Sequence, residues 1–118
     1  METENDVIAR IASGFAGGIG NTGSVCGSVI GAVMAISLKQ GRADTMEGAL
    51  RNLAVVQEFR RRFEAEMKTI NCRELTGADL STPEGIEQFM GSDIPQTVCF
   101  PAVGLAYRLV VELLKETS

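Results

Sequence analysis

Three cysteines, Cys26, Cys72 and Cys99, are the residues of this 118-residue sequence with the most chemistry to offer. As thiolates they would attack disulfides or bind soft metals. They are separated by 46 and 27 residues, so no CxxC pair exists for a thioredoxin motif or a zinc ribbon. The sequence has no histidine, which removes Ser-His-Asp and Cys-His catalysis, His-based metal sites and His pH switching together. An odd number of cysteines fits free thiols or a ligand set better than a closed disulfide framework. The start, Met1-Glu2-Thr3-Glu4-Asn5-Asp6, is acidic and lacks the basic and apolar regions of a signal peptide. The expected compartment is therefore the reducing cytoplasm, where free thiols survive.

Each cysteine follows a helix-start signal. Ser24 lies two residues before Cys26, and Asn71 directly precedes Cys72 with Glu74 in place to complete a capping box. Thr97 lies two before Cys99, and the nearby Pro101 is expected to fit only in a first helical turn. A thiol in a first turn meets the positive end of the helix dipole and unpaired N–H groups, both of which favour the thiolate. The plainer alternative is three inert buried thiols, since free Cys packs as a small hydrophobe. Three placements of the same kind favour redox or metal chemistry, with the sulfurs close together. Cys26, approached through a glycine-rich segment, is the first choice for the reactive thiol.

Helical periodicity supplies the elements that must hold these residues. Val7, Ile8, Ile11, Ala12 and Phe15 predict a helix over 5–15, followed by a loop over 17–23. Residues 24–38 form an apolar run closed by Lys39-Gln40-Gly41, too short for a membrane span and therefore a core helix. A third helix over 44–69 carries Met46, Leu50, Leu53, Val56, Phe59, Phe63 and Met67 at steps of three and four. Its other face offers Glu58–Arg62, Arg60–Glu64 and Arg62–Glu66 pairs, so Arg60-Arg61-Arg62 reads as a solvated face. Residues 71–77 read as a turn or short helix. Ser81-Thr82-Pro83-Glu84 starts a helix that ends near Gly91, Pro95 breaks the chain, and a last helix runs over 98–115. The prediction is an all-α, single-domain bundle over 1–118, of about five helices, with a glycine-rich loop before the second.

Composition narrows the partners. Apolar residues make up 45% of the chain and charged ones 22%, which is globular, and the formal charge of −4 gives nucleic acid and anionic membranes no electrostatic support. Trp is absent and Tyr107 is the single Tyr, so base-stacking platforms are not expected either. Gly18-Ile19-Gly20-Asn21-Thr22-Gly23 matches GxGxxG, but that fingerprint needs a strand before it, where helix is predicted; no dinucleotide is expected. Gly23, Gly27, Gly31 and Ala35 fall at spacing four and form a ridge without bulk, suited to a tight helix crossing or to a symmetric contact in a homodimer. Because residues 25–38 are apolar nearly all round, a homodimer with this ridge at its interface is expected.

The chain resembles the C_GCAxxG_C_C family of redox-active proteins. The resemblance rests on Gly14-Phe15-Ala16-Gly17-Gly18-Ile19-Gly20, on Cys26-Gly27-Ser28-Val29-Ile30-Gly31 against the family's CGAxxG, on Asn71-Cys72-Arg73-Glu74-Leu75 and on Val98-Cys99. It covers nearly the whole chain. Ser28 stands where the motif has Ala, and the family's first cysteine, on a helix upstream of the glycines, has no counterpart here. The resemblance implies that Cys26, Cys72 and Cys99 take the family's cysteine roles, in thiol–disulfide chemistry with a redox partner the sequence does not identify. Metal or iron–sulfur binding through the same cysteines is the alternative. Clusters usually take four Cys, so three would need a further ligand.

Overall fold

A computed structural model describes residues 5–41 and 44–117. Its elements are α1 (Asn5–Ala12) with a 3-10 turn at Ser13–Phe15, α2 (Gly27–Gln40), α3 (Met46–Met67), α4 (Cys72–Thr76) and α5 (Pro83–Met90). A π-helical turn (Pro95–Cys99) then runs directly into α6 (Phe100–Glu116). The protein is all-α: the described residues contain six α-helices and no strand, only a single antiparallel bridge between Val25 and Asn71.

Among the described residues, two helices carry side-chain caps. Thr45 caps α3 by accepting from the Gly48 N–H at 3.0 Å, and Thr82 caps α5 by accepting from the Gly85 N–H at 3.0 Å, with Pro83 in the first turn. Two helix starts differ from expectation by three residues. α2 begins three residues late, because Val25 is drawn out to pair with Asn71. The last helix begins three residues early, at Pro95.

That second difference has a clear cause. Pro101 has no N–H to give the Thr97 carbonyl and its ring would collide with that carbonyl in a regular helix. The turn before it widens instead: the Phe100 N–H reaches the Pro95 carbonyl, five residues back. Pro101 is thus in the first turn of α6, as expected, but that turn continues directly from the π-turn and is not a free helix start.

α6 packs against both α2 and α3. Val29, Ala32 and Ile36 from α2, Phe59 and Phe63 from α3, and Ala102, Ala106, Leu109, Val110 and Leu113 from α6 form the core. Phe59 and Phe63 are fully buried one turn apart, their ring centroids 5.9 Å from each other, and burying each contributes roughly 1.5–3 kcal/mol. The run Pro95–Thr117 is apolar and long enough to cross a membrane by length and composition. Its apolar stripe is the one that closes this core.

The arginine run is more than a solvated face. Arg62 pairs with Glu58 at 2.7 Å within α3 but then crosses to α6, where it holds Glu116 through both carboxylate oxygens at 2.9 and 3.0 Å. Glu66, expected to pair with Arg62, instead takes Arg108 of α6 at 2.6 Å. The Arg60–Glu64 pair forms as expected. These charges hold the α3–α6 crossing from outside.

A cysteine-lined candidate site

Two backbone hydrogen bonds bring the first two cysteines together. The Cys26 N–H donates to the Ile70 carbonyl and the Cys72 N–H to the Ser24 carbonyl, each at 2.7 Å, on either side of the Val25–Asn71 bridge. The chain before α2 and the chain before α4 therefore run side by side, and each delivers a cysteine to the same end of the bundle. α4 packs against the π-turn that carries Cys99. All three thiols are free, and charge on Cys26 disfavours ionisation of both Cys72 and Cys99, while charge on Cys99 disfavours that of Cys72.

The glycine-rich segment makes this approach sterically allowed. Gly17, Gly18, Ile19, Gly20 and Asn21 all have positive φ, between 61° and 72°, a left-handed turn that a run of ordinary residues would resist. It is tied by Ile19 N–H to the Phe15 carbonyl at 3.0 Å and by the Thr22 hydroxyl to the Gly18 carbonyl at 2.8 Å. At buried Gly18 a side chain would stand 2.8 Å from Cys72 Cβ, and at Gly23 it would stand 2.8 Å from Arg73 Cβ. A 3-10 turn precedes this GxGxxG run where the dinucleotide fingerprint has a strand, and two of its glycines, Gly18 and Gly23, face α4.

The helix-start expectation holds in part. Cys26 caps α2, though its side chain makes no capping bond to the backbone; its Sγ lies instead 3.0 Å from Ser28 Oγ. Cys72 is the first residue of α4, but that helix has only five residues, too short for a substantial dipole, and Asn71 turns its side chain to Glu74 Oε1 at 2.7 Å without capping the backbone. Burial pushes the Cys72 thiol up from its ordinary range, the charges of Cys26 and Cys99 add to that, and the Thr76 hydroxyl offsets part of it. Cys99 ends the π-turn inside a continuous helix, and burial followed by the charge of Cys26 raises it too. For Cys72 and Cys99 the expected thiolate preference is thus reversed, because loss of solvation outweighs what a helix end supplies.

The expected small-residue ridge divides. Gly23 lies ahead of α2 in left-handed conformation against Arg73, and Gly27 faces the Phe15 carbonyl, where a Cβ would come within 3.3 Å. Gly31 and Ala35 are the part left open. They floor a groove of about 500 Å³ between α2 and α6, flanked by exposed Val103 and Tyr107, with Ser28 among its lining residues.

A metal centre fits this residue set poorly. Among the described residues no group of three or more Cys, Asp or Glu is arranged to hold a metal ion.

Among curated proteins and solved structures, none matches the chain. A protein-family model described as "Putative redox-active protein (C_GCAxxG_C_C)" matches residues 1–113, nearly the full length and all three cysteines. The chain belongs to the C_GCAxxG_C_C family.

Proposed function

We propose that this protein performs thiol–disulfide exchange with Cys26, Cys72 and Cys99 as its working residues. The observation that supports the reading is the packing together of three segments far apart in sequence, each carrying a free thiol: the paired chains before α2 and α4, and the π-turn against which α4 packs. One thiolate attacks a sulfur of a partner disulfide, forming a mixed disulfide and releasing the partner's other sulfur as a thiolate that takes a proton from water. A second cysteine, losing its proton, attacks the mixed disulfide, closes an intramolecular disulfide and frees the partner's remaining thiol. The pair of cysteines is oxidised, the partner disulfide is reduced, and the two protons end on the partner's thiols. The third cysteine gives the oxidised pair an alternative connection within the same site.

Anaerobic incubation of the reduced protein with oxidised glutathione, followed by thiol titration and mass spectrometry of peptides, tests this. The expected product has one thiol remaining and an intramolecular disulfide within the trio. Retention of all three thiols, or glutathione adducts that never resolve, would overturn the reading.

A further inference from the structure

We propose that the Ser28 hydroxyl is a positioning residue that makes Cys26 the attacking thiolate of the trio. This rests on the thiol–disulfide reading and adds to it which sulfur enters first. Ser28 is the second residue of α2 and Cys26 its cap, and their Oγ and Sγ atoms are 3.0 Å apart. The Cys26 backbone is fully engaged: its N–H goes to the Ile70 carbonyl, and its own carbonyl accepts from the Val29 and Ile30 N–H groups. The sulfur is left to the serine.

A thiolate has no proton, so in the ionised state Ser28 must be the donor. Hydrogen bonds to a charged acceptor are stronger than those between neutral groups, and one made to the charged form favours that form. Cys72 on α4 and Cys99 on the π-turn are coupled to Cys26, and burial favours the protonated thiol at both, so neither supplies the positive charge that a thiolate would gain from. Ser28 also lines the groove between α2 and α6.

The test is peptide-resolved alkylation by iodoacetamide across a pH series, on the whole chain with all three thiols present. Ser28→Ala should slow labelling of Cys26 at neutral pH about tenfold and move the midpoint of its profile to higher pH. Ser28→Thr, which keeps the hydroxyl, should restore the rate, and the Cys72 and Cys99 profiles should stay in place. Superimposable Cys26 profiles for Ser28→Ala and the unmodified chain would overturn the assignment. So would an equal change at all three cysteines with altered circular dichroism, which marks a structural role. Alkylation needs no redox partner, so failure here leaves the glutathione result standing, and failure there leaves this one.

Discussion

Gly18 lies flat against Cys72: a single methyl group at Gly18 would stand 2.8 Å from Cys72 Cβ and 2.5 Å from the Ser24 N and O atoms. The closeness of the Ser24–Val25 and Asn71–Cys72 segments, and with it that of Cys26 and Cys72, depends on that missing side chain. Gly18→Ala combines a left-handed φ of 72° with overpacking and should cost about 2–4 kcal/mol. Gly77→Ala is the matched control, because Gly77 has a φ of 67° but nothing within 4 Å, leaving the backbone cost of about 1–2 kcal/mol alone. Urea unfolding of the two variants isolates the steric part. An equal loss would show that Gly18 serves backbone conformation and not the approach to Cys72.

Ile19 is the strained member of the left-handed turn. A β-branched residue at φ 62° is disfavoured by about 1–2 kcal/mol, and Ile19 is 43% exposed, so little packing repays it. Ile19→Gly should stabilise the protein by about 0.5–1 kcal/mol after the entropy cost of glycine. Thermal unfolding should show a rise of a few degrees. A fall would mean that the exposed Ile19 side chain makes contacts worth more than the strain.

Cys72 and the half-buried Cys99 give a pH dependence. Burial, then the charges of its neighbours, raise Cys72, and burial, then the charge of Cys26, raises Cys99, so both stay protonated in the folded chain at pH values where an unfolded chain has begun to ionise. The stability they contribute is complete below the ordinary thiol value of 9.0 and is lost as pH rises beyond it. Cys26→Ser removes one of the opposing charges and should move the labelling midpoints of Cys72 and Cys99 down by up to about one pH unit. Unmoved midpoints would show that the three sulfurs do not share one electrostatic site.

Helices, caps and the all-α class were legible in the sequence because they follow from periodicity and local side chains: Thr82-Pro83 starts a helix wherever it stands. The three cysteines were legible as candidates by their chemistry alone. What brings them together was not. The Val25–Asn71 bridge joins residues 46 positions apart, and one bridged residue leaves no alternating pattern to read. Gly18 was visible only inside a GxGxxG match, since nothing local says that its empty side faces Cys72. Ser28 stood out as a departure from CGAxxG, but its meaning needed the 3.0 Å contact. Pro101 was read by the ordinary rule for proline in a helix, and the π-turn ahead of it is the long-known exception to that rule.

Acid should loosen the α3–α6 crossing. Hydrogen bonds from Arg61 and Arg62 hold the Glu58 carboxyl at about 2, and Arg62 also holds Glu116 below its ordinary range. Both folded values are depressed, so the stability they contribute is present above the ordinary carboxyl value of 4.5 and is lost as pH falls toward 2. Arg62→Gln should lower the melting temperature near neutral pH and flatten its decline in acid. A decline as steep as that of the unmodified chain would place the acid sensitivity elsewhere.

Gly31 separates two uses of the groove. It is a helical glycine with nothing within 4 Å of where a side chain would be, so Gly31→Ala should stabilise an isolated chain by about 0.5–1 kcal/mol. The homodimer proposed from the sequence now has only Gly31 and Ala35 of its ridge to work with, because Gly23 and Gly27 are occupied inside the chain. If two copies meet there, Gly31→Leu should fill the floor of the groove and weaken association at micromolar concentration. Gly27→Leu, aimed at the Phe15 carbonyl, should destabilise the fold itself. Sedimentation of the unmodified chain and of Gly31→Leu, with thermal unfolding of all three variants, distinguishes these effects. A chain that sediments as a monomer before any substitution would remove the dimer and leave the gain from Gly31→Ala intact.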